Sequence, residues 1–275
     1  KLGATRIETL IRDPYAVYAA HVLRLAERPL PGQTLDARAR GTVLHEIMER
    51  FVQATAERWP QAPQAVLHET ARLVLADRKV PPALGALWQA RLRAMAPGFL
   101  REEAKRRAEG RLLGLEVKGS YAVPGTAFTL DAKADRIERH HDGTLGLYDY
   151  KTSKPGSARQ VVEFAVQLPL MGLMAEAGGF AQAGIGGAPM GAMALLGMDR
   201  DATRTALTRD AAELDALADR LARMVAYFDS AGAAWPALWR PHLQTHPSPY
   251  DHLARRGEWQ DDDPWAPEPV GEGAP

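Results

Sequence analysis

Leu214, Leu217, Leu221, Met224 and Phe228 recur at steps of three and four, which lines them along one side of an α-helix. Asp210 and Glu213 precede them with capping-box spacing, so a strong amphipathic helix is predicted to start there. ARARGTVLHEIMERFVQATAERW (37–59) carries a similar stripe in Val43, Leu44, Ile47, Met48 and Phe51. Near the start of the chain, Thr5 and Glu8 fit another capping box, with Ile7, Leu10 and Ile11 as the apolar face. Asp13-Pro14 then reads as an N-cap with proline at the first helical position, and Tyr15, Tyr18, Val22 and Leu25 continue at helical spacing. Residues 60–110 read as mostly helical, with breaks at Pro60, Pro81-Pro82 and Pro97. REEAKRRAEGR (101–111) reads as a solvated, charged helix end.

The period changes near residue 112. LEVKGSYAV (115–123), AFTLDAKADRIER (127–139) and TLGLYDYK (144–151) have strand composition, separated by turn signals at Pro124-Gly125 and Asp142-Gly143. An apolar, helix-like region (157–177), a Gly-rich loop (178–191) and a candidate strand, AMALLGM (192–198), follow. PLPGQ (29–33) is a loop, and the acidic, Pro/Gly-rich tail 261–275 is predicted to be disordered. Helices, a strand meander, then helices and one more strand predict an α/β or α+β architecture. We expect one domain over 1–260: a helical part to about 110, a sheet core over 112–200 and a C-terminal helical part over 208–260.

Composition narrows the chemistry. With 46% hydrophobic residues in 275, a sizeable core is expected. Lys plus Arg equals Asp plus Glu at 34 each, so contact with nucleic acid would need a local basic patch or a partner. The chain has no cysteine, which excludes disulfides, thiolate zinc sites and iron–sulfur clusters. No apolar run spans a bilayer and no signal peptide is visible, so a cytoplasmic location without membrane contact is expected. The start at Lys1, without Met, predicts a piece of a longer protein.

In LYDYKTS (147–153), Asp149 and Lys151 are two apart on a strand and share a face. A surface ion pair is the simplest account. ADRIE (134–138) changes it, because Asp135 lies on the preceding strand. A two-residue turn at Asp142-Gly143 would set Asp135 opposite Tyr150, on the wrong face. A three-residue loop, His141-Asp142-Gly143, sets it opposite Asp149 and puts Gly143 at the position that favours a left-handed residue. Opposed carboxylates repel, and a cation between them turns that cost into a site. Oxygen ligands favour Mg²⁺ or Mn²⁺, which would acidify water and polarise a phosphoryl oxygen. Lys151 would position the water or neutralise transition-state charge. The Tyr150 carbonyl is a further candidate ligand.

Gly41, His45 and Glu49 line one helix stripe in GTVLHEIME (41–49). The zincin pattern HExxH needs a second His where Glu49 stands, so a zinc protease is excluded. A structural His45 and a Glu49 that merely supports the helix surface are the plainer accounts. Pro169 suits the first turn of a helix, which would put Gln167 near an N-terminus, where backbone N–H groups favour anions. Arg136, Lys154 and Arg159 are candidate phosphate contacts, with ordinary solvation the competing account of each.

RDPYAVYA (12–19), GTVLHEIME, ADRIE, DYKTS and QLPL, in that order, resemble the motifs of RecB-type nucleases of the PD-(D/E)XK superfamily over roughly residues 4–175. YDHLARRGEW (250–259) looks similar too, and the nearest pattern is that of AddB-type nuclease domains from AddAB helicase–nucleases. The resemblance implies a restriction-endonuclease-like α/β fold, a mixed sheet flanked by helices with extra N- and C-terminal helices. It implies His45, Asp135, Asp149 and the Tyr150 carbonyl as metal ligands and Lys151 as catalytic lysine. Gln167 matches the first residue of the Q-x-x-x-Y motif, whose fifth position is Met171 here rather than Tyr. Many such relatives carry an iron–sulfur staple with a cysteine where Asp13 stands. Without cysteines, helix packing must hold the two ends together. The implied activity is metal-dependent DNA cleavage, one strand at a time, beside an AddA-like helicase–nuclease subunit in double-strand-break repair. Its rivals are a nuclease-like module that binds DNA or a partner without cutting, and a scaffold with a coincidental Asp–Lys hairpin.

Overall fold

The alternation beginning near residue 112 becomes a six-stranded mixed sheet in the computed structural model, which describes residues 1–26, 37–157, 166–207, 210–240, 247–260 and 263. β2 (Gly110–Ala122) and β3 (Thr129–His140) form a long antiparallel hairpin. β4 (Leu145–Lys151) runs antiparallel to β3 and parallel to β5 (Met190–Gly197), which carries the short antiparallel β6 (Arg204–Ala206). β1 (Leu2–Gly3) pairs in parallel with Leu130 and Asp131 of β3, on the edge that β4 occupies from Arg136 onward. Between them, residues 132–135 face no strand on that edge among the described residues. The sheet opens there.

Helices cover both faces because the apolar positions of β4 and β5 alternate. Tyr148, Tyr150 and Leu196 pack with Ile47, Met48 and Phe51 of α3 (Ala37–Ala54), with α4 (Pro63–Asp77) and with α5 (Pro82–Glu109). Leu147 and Leu195 face the other way, onto α1 (Ala4–Arg12), α6 (Gln167–Glu176) and α7 (Ala211–Phe228), through Ile7, Met174 and Leu221. The predicted Asp210–Glu213 capping box opens α7, with both reciprocal bonds made.

Several local expectations are corrected. Thr5 and Glu8 form no capping box: α1 starts at Ala4 after Gly3, and the Glu8 carboxylate is used elsewhere. The helix after Asp13 is short, α2 (Pro14–His21), so Val22 and Leu25 lie beyond it and are exposed. Pro97 does not break α5, because its ring sits on the exposed side while Met95, Ala96 and Phe99 keep the helix packed. Residues 101–111 are only in part a solvated face: Arg101, Lys105 and Glu109 are exposed, but Glu103 and Arg106 are buried. PLPGQ, Arg159, most of the stretch 157–166 and all but Asp263 of the tail 261–275 lie outside the described residues.

Asp13 joins the two ends of the chain. Its carboxylate accepts from Ala16 N–H at 3.2 Å, capping α2, and from Leu238 N–H at 3.3 Å, 225 residues away. Tyr15 N–H donates to Pro236 O, Arg240 N–H to Arg12 O and Tyr250 Oη to Leu25 O, at 3.1, 3.0 and 2.8 Å. Hydrogen bonds, with the Tyr18–Trp235 ring contact, hold the ends without cysteine.

Candidate metal centre

The β3–β4 turn sets the register of the site. Gly143 has φ +86°, the left-handed conformation that glycine adopts without strain. His140 N–H donates to Thr144 O at 2.9 Å, closing a three-residue loop over His141–Gly143. The ladder then runs from Arg139–Leu145 to Arg136–Tyr148, and one step further sets Asp135 opposite Asp149. That is the pairing derived from turn length. At this step the strands part, and Tyr150 N–H donates to Asp135 Oδ2 at 2.8 Å in place of a ladder bond. Met198 N–H donates to Lys151 O at 2.7 Å on the β5 side. Successive carbonyls of an extended strand alternate, so the Tyr150 carbonyl faces Asp135.

His45 comes in from α3, with Nδ1 3.5 Å from Asp135 Oδ2. A Cβ at Gly41, one turn earlier, would meet Thr152 Cγ2 at 3.4 Å, so α3 runs close to the chain just past the end of β4. Burial pushes the His45 pKa down against Asp149 and Glu116, which push it up, and the imidazole is favoured in its neutral, ligating form. Burial first, then the Asp149 charge, pushes Asp135 up to about 7, despite the stabilising Tyr150 N–H. Lys151 Nζ lies 2.6 Å from Asp149 Oδ2, close enough for an ion pair but off the line of a directed hydrogen bond. Burial pushes the Lys151 pKa down, but Asp149, Asp135 and Glu8 together push it further up, so it stays an ammonium.

The sequence pattern missed two carboxylates. Glu116 of β2 lies with His45 and Asp135 such that one donor atom of each falls within 4.8 Å of the others. It stands level with Asp135, because Leu115 pairs with Arg136 and Val117 with Ala134. Glu8 accepts from Gln167 N–H at 2.9 Å, and its pKa is raised, chiefly by burial and slightly by Asp149. Gln167 does open α6 with Pro169 in the first turn, but that helix end holds the Glu8 carboxylate. Met171 is buried in the core among α6 neighbours, so its side chain is not presented to solvent. Glu49 and Gly41 line the cleft of about 840 Å³ that His45, Glu116, Lys133 and Asp135 share.

Arg136 is corrected. It is 1% exposed and donates to Glu103 Oε2 at 2.6 Å, to Glu138 and to the Tyr150 hydroxyl, which leaves it no path to a phosphate. Lys154 is exposed after the end of β4.

These donors fit a hard divalent cation. They combine carboxylate and carbonyl oxygens with one neutral imidazole, and the crowded Asp135–Asp149 pair gains from added positive charge. Asp149 is 6% exposed, and its Oδ2 has no directed hydrogen bond.

The sequence profile of the PD-(D/E)XK nuclease superfamily matches residues 1–249, and the chain belongs to that superfamily. Its members are generally metal-dependent nucleases, and the mixed sheet flanked by helices is consistent with their restriction-endonuclease-like fold. Among similar proteins, an uncharacterized protein of Rickettsia bellii is 25% identical over 182 residues, covering 65% of this chain and 22% of the relative. Uncharacterized protein RT0391 of Rickettsia typhi is 26% identical over 187 residues, with the same coverage. The chain thus spans about a fifth of the length of these relatives. The crystal structure of SSO0001 aligns with 70% of this chain and 89% of its own at 15% identity and a TM-score of 0.30. Among the described residues no helix is long and apolar enough to cross a membrane.

Proposed function

We propose that the chain is a Mg²⁺- or Mn²⁺-dependent exonuclease domain hydrolysing DNA phosphodiester bonds. In this reading it serves as the nuclease part of an AddB-like subunit. It would work beside an AddA-like helicase–nuclease in cytoplasmic, recombinational double-strand-break repair. The observation that carries the hydrolytic core of this reading is the meeting of His45, Asp135, the Tyr150 backbone, Asp149 and Lys151 where β3 and β4 part. The motif order supports the DNA substrate and the AddB-like setting.

His45, Asp135, Asp149 and the Tyr150 carbonyl are the groups that would hold the cation. When bound it supplies neutralisation of the phosphoryl oxygens and acidification of nearby water. His45 presents a neutral ring nitrogen. Asp135 tends to hold a proton near neutral pH in the metal-free protein, so capture of the cation releases it. Lys151 keeps its ammonium and turns from Asp149 towards the charge growing on the phosphoryl group. Gln167, at the first turn of α6, is assigned to positioning water or substrate, and Lys154 and Arg159 to flanking phosphates.

Cleavage of end-labelled DNA tests the assignment. With Mg²⁺ the wild type releases nucleotides, and Asp149→Asn or Lys151→Ala lowers the rate about a thousandfold or more at an unchanged melting temperature. Full activity in either variant would refute it. Met171 favours one second reading, a module that binds without cutting, which predicts Mn²⁺ uptake with no cleavage by the wild type.

A further inference from the structure

Glu116 occupies a costly backbone position. It is a non-glycine residue with φ +52° in the middle of β2, a conformation that disfavours a Cβ. The alternation of the strand reverses there. Leu115 packs against the α3–α5 core, while Val117 packs into the core under α1, α6 and α7. In a regular strand these two would share one face. The reversal puts Glu116 at the crossing point, level with Asp135 on β3, with its carboxylate in the cleft beside His45.

One cation already lies there. Lys133, two residues before Asp135 on β3, forms an ion pair with Glu116, and the charges of Glu49 and Asp135 reinforce its ammonium. The Lys133 side chain is 52% exposed, so its head has room to move. Glu49 is half-buried in the same cleft and offers a second place for it.

We propose that Glu116 is a further ligand of the divalent cation and that Lys133 is its built-in competitor, holding the carboxylate until the cation takes it over. This rests on the metal centre proposed above and adds to it a residue and a means of control. A divalent ion attracts one carboxylate more strongly than a flexible ammonium does, and it binds oxygen directly. As the cation enters, Glu116 leaves Lys133, and the ammonium swings to Glu49. The cleft thus keeps a balancing positive charge while metal-free, at a cost in metal affinity.

Mn²⁺ binding to the full chain, followed by calorimetry and by the electron paramagnetic resonance of free Mn²⁺, tests this without any need for turnover. Glu116→Gln is expected to weaken binding about tenfold or more, as expected for loss of one charged ligand. Lys133→Met is expected to tighten it about threefold to tenfold, while Lys133→Arg, which keeps the competitor, stays near the wild type. The decisive arm is the double variant: in the Glu116→Gln background, Lys133→Met loses most of its effect. An unchanged affinity for Lys133→Met, or a tightening that persists undiminished in the Glu116→Gln background, overturns the proposal while leaving the metal centre intact. Mn²⁺ binding that is absent from the wild type, or indifferent to Asp135→Asn, brings down the metal centre and this proposal with it.

Discussion

Asp135 and Arg136 stand side by side on β3 and meet opposite electrostatic environments. Arg136 faces the core under α5, where Glu103, Glu138 and the Tyr150 hydroxyl accept from it, and Arg106 and Arg107 complete the network around Glu103. Glu103 is fully buried, and although burial alone would raise its pKa, Arg136 and Arg106 hold it down at about 2. Asp135 faces the cleft, where Asp149 and Glu116 oppose it and its pKa rises to about 7. One buried carboxylate is balanced by cations of the protein itself. The other has Lys151 and Lys133 nearby and still keeps a raised pKa, a demand for further positive charge that a bound cation would meet. Stability is concentrated on one side of the strand and binding capacity on the other, joined through Tyr150. Its ring touches the balanced network, and its N–H holds Asp135.

Removing one charge on each side should therefore act with opposite sign. Glu103→Gln leaves buried guanidinium groups short of a partner and is expected to destabilise the protein by roughly 3–5 kcal/mol in urea denaturation. Asp135→Asn keeps an acceptor for Tyr150 N–H and removes the repulsion, so in EDTA at pH 8 it should stabilise by about 1 kcal/mol, read as a rise of roughly 2–4 °C in Tm. A loss of stability in that variant would erase the contrast.

Acid titration of metal-free stability sharpens it. Glu103 has a folded pKa below its ordinary value of 4.5, so the unfolded chain binds the proton first, and its contribution is lost as pH falls from that value towards about 2. Asp135 has a folded pKa above its ordinary 3.8, so the folded chain holds the extra proton, and stability declines as pH rises from about 4 through 7. Melting curves across pH should show the second decline in the wild type and not in Asp135→Asn. The smallest effect belongs to Lys154→Ala: exposed and outside both clusters, it should leave Tm within about 1 °C, with any loss confined to DNA affinity at low salt.

What could be read from the sequence was local or periodic. The β3–β4 pairing follows from loop length and one glycine, and a three-residue loop sets Asp135 opposite Asp149. Asp210 with Glu213 and Asp13 with Pro14 are caps written within a few residues. The burial of Arg136 is not legible because it depends on Glu103, 33 residues earlier on a helix whose charged end looks like any solvated face. Glu8 has one local partner, Arg12, but its second, Gln167, lies 159 residues on and is not legible in the sequence. Glu116 is not legible because its own left-handed backbone breaks the alternation that strand reading relies on.

Crystals grown with Mn²⁺ and measured at the manganese absorption edge test the unmet charge demand most directly. An anomalous peak within ligand distance of His45, Asp135 and the Tyr150 carbonyl, lost in crystals of Asp135→Asn, is the expected result. Saturating Mn²⁺ with no peak in that cleft would contradict it.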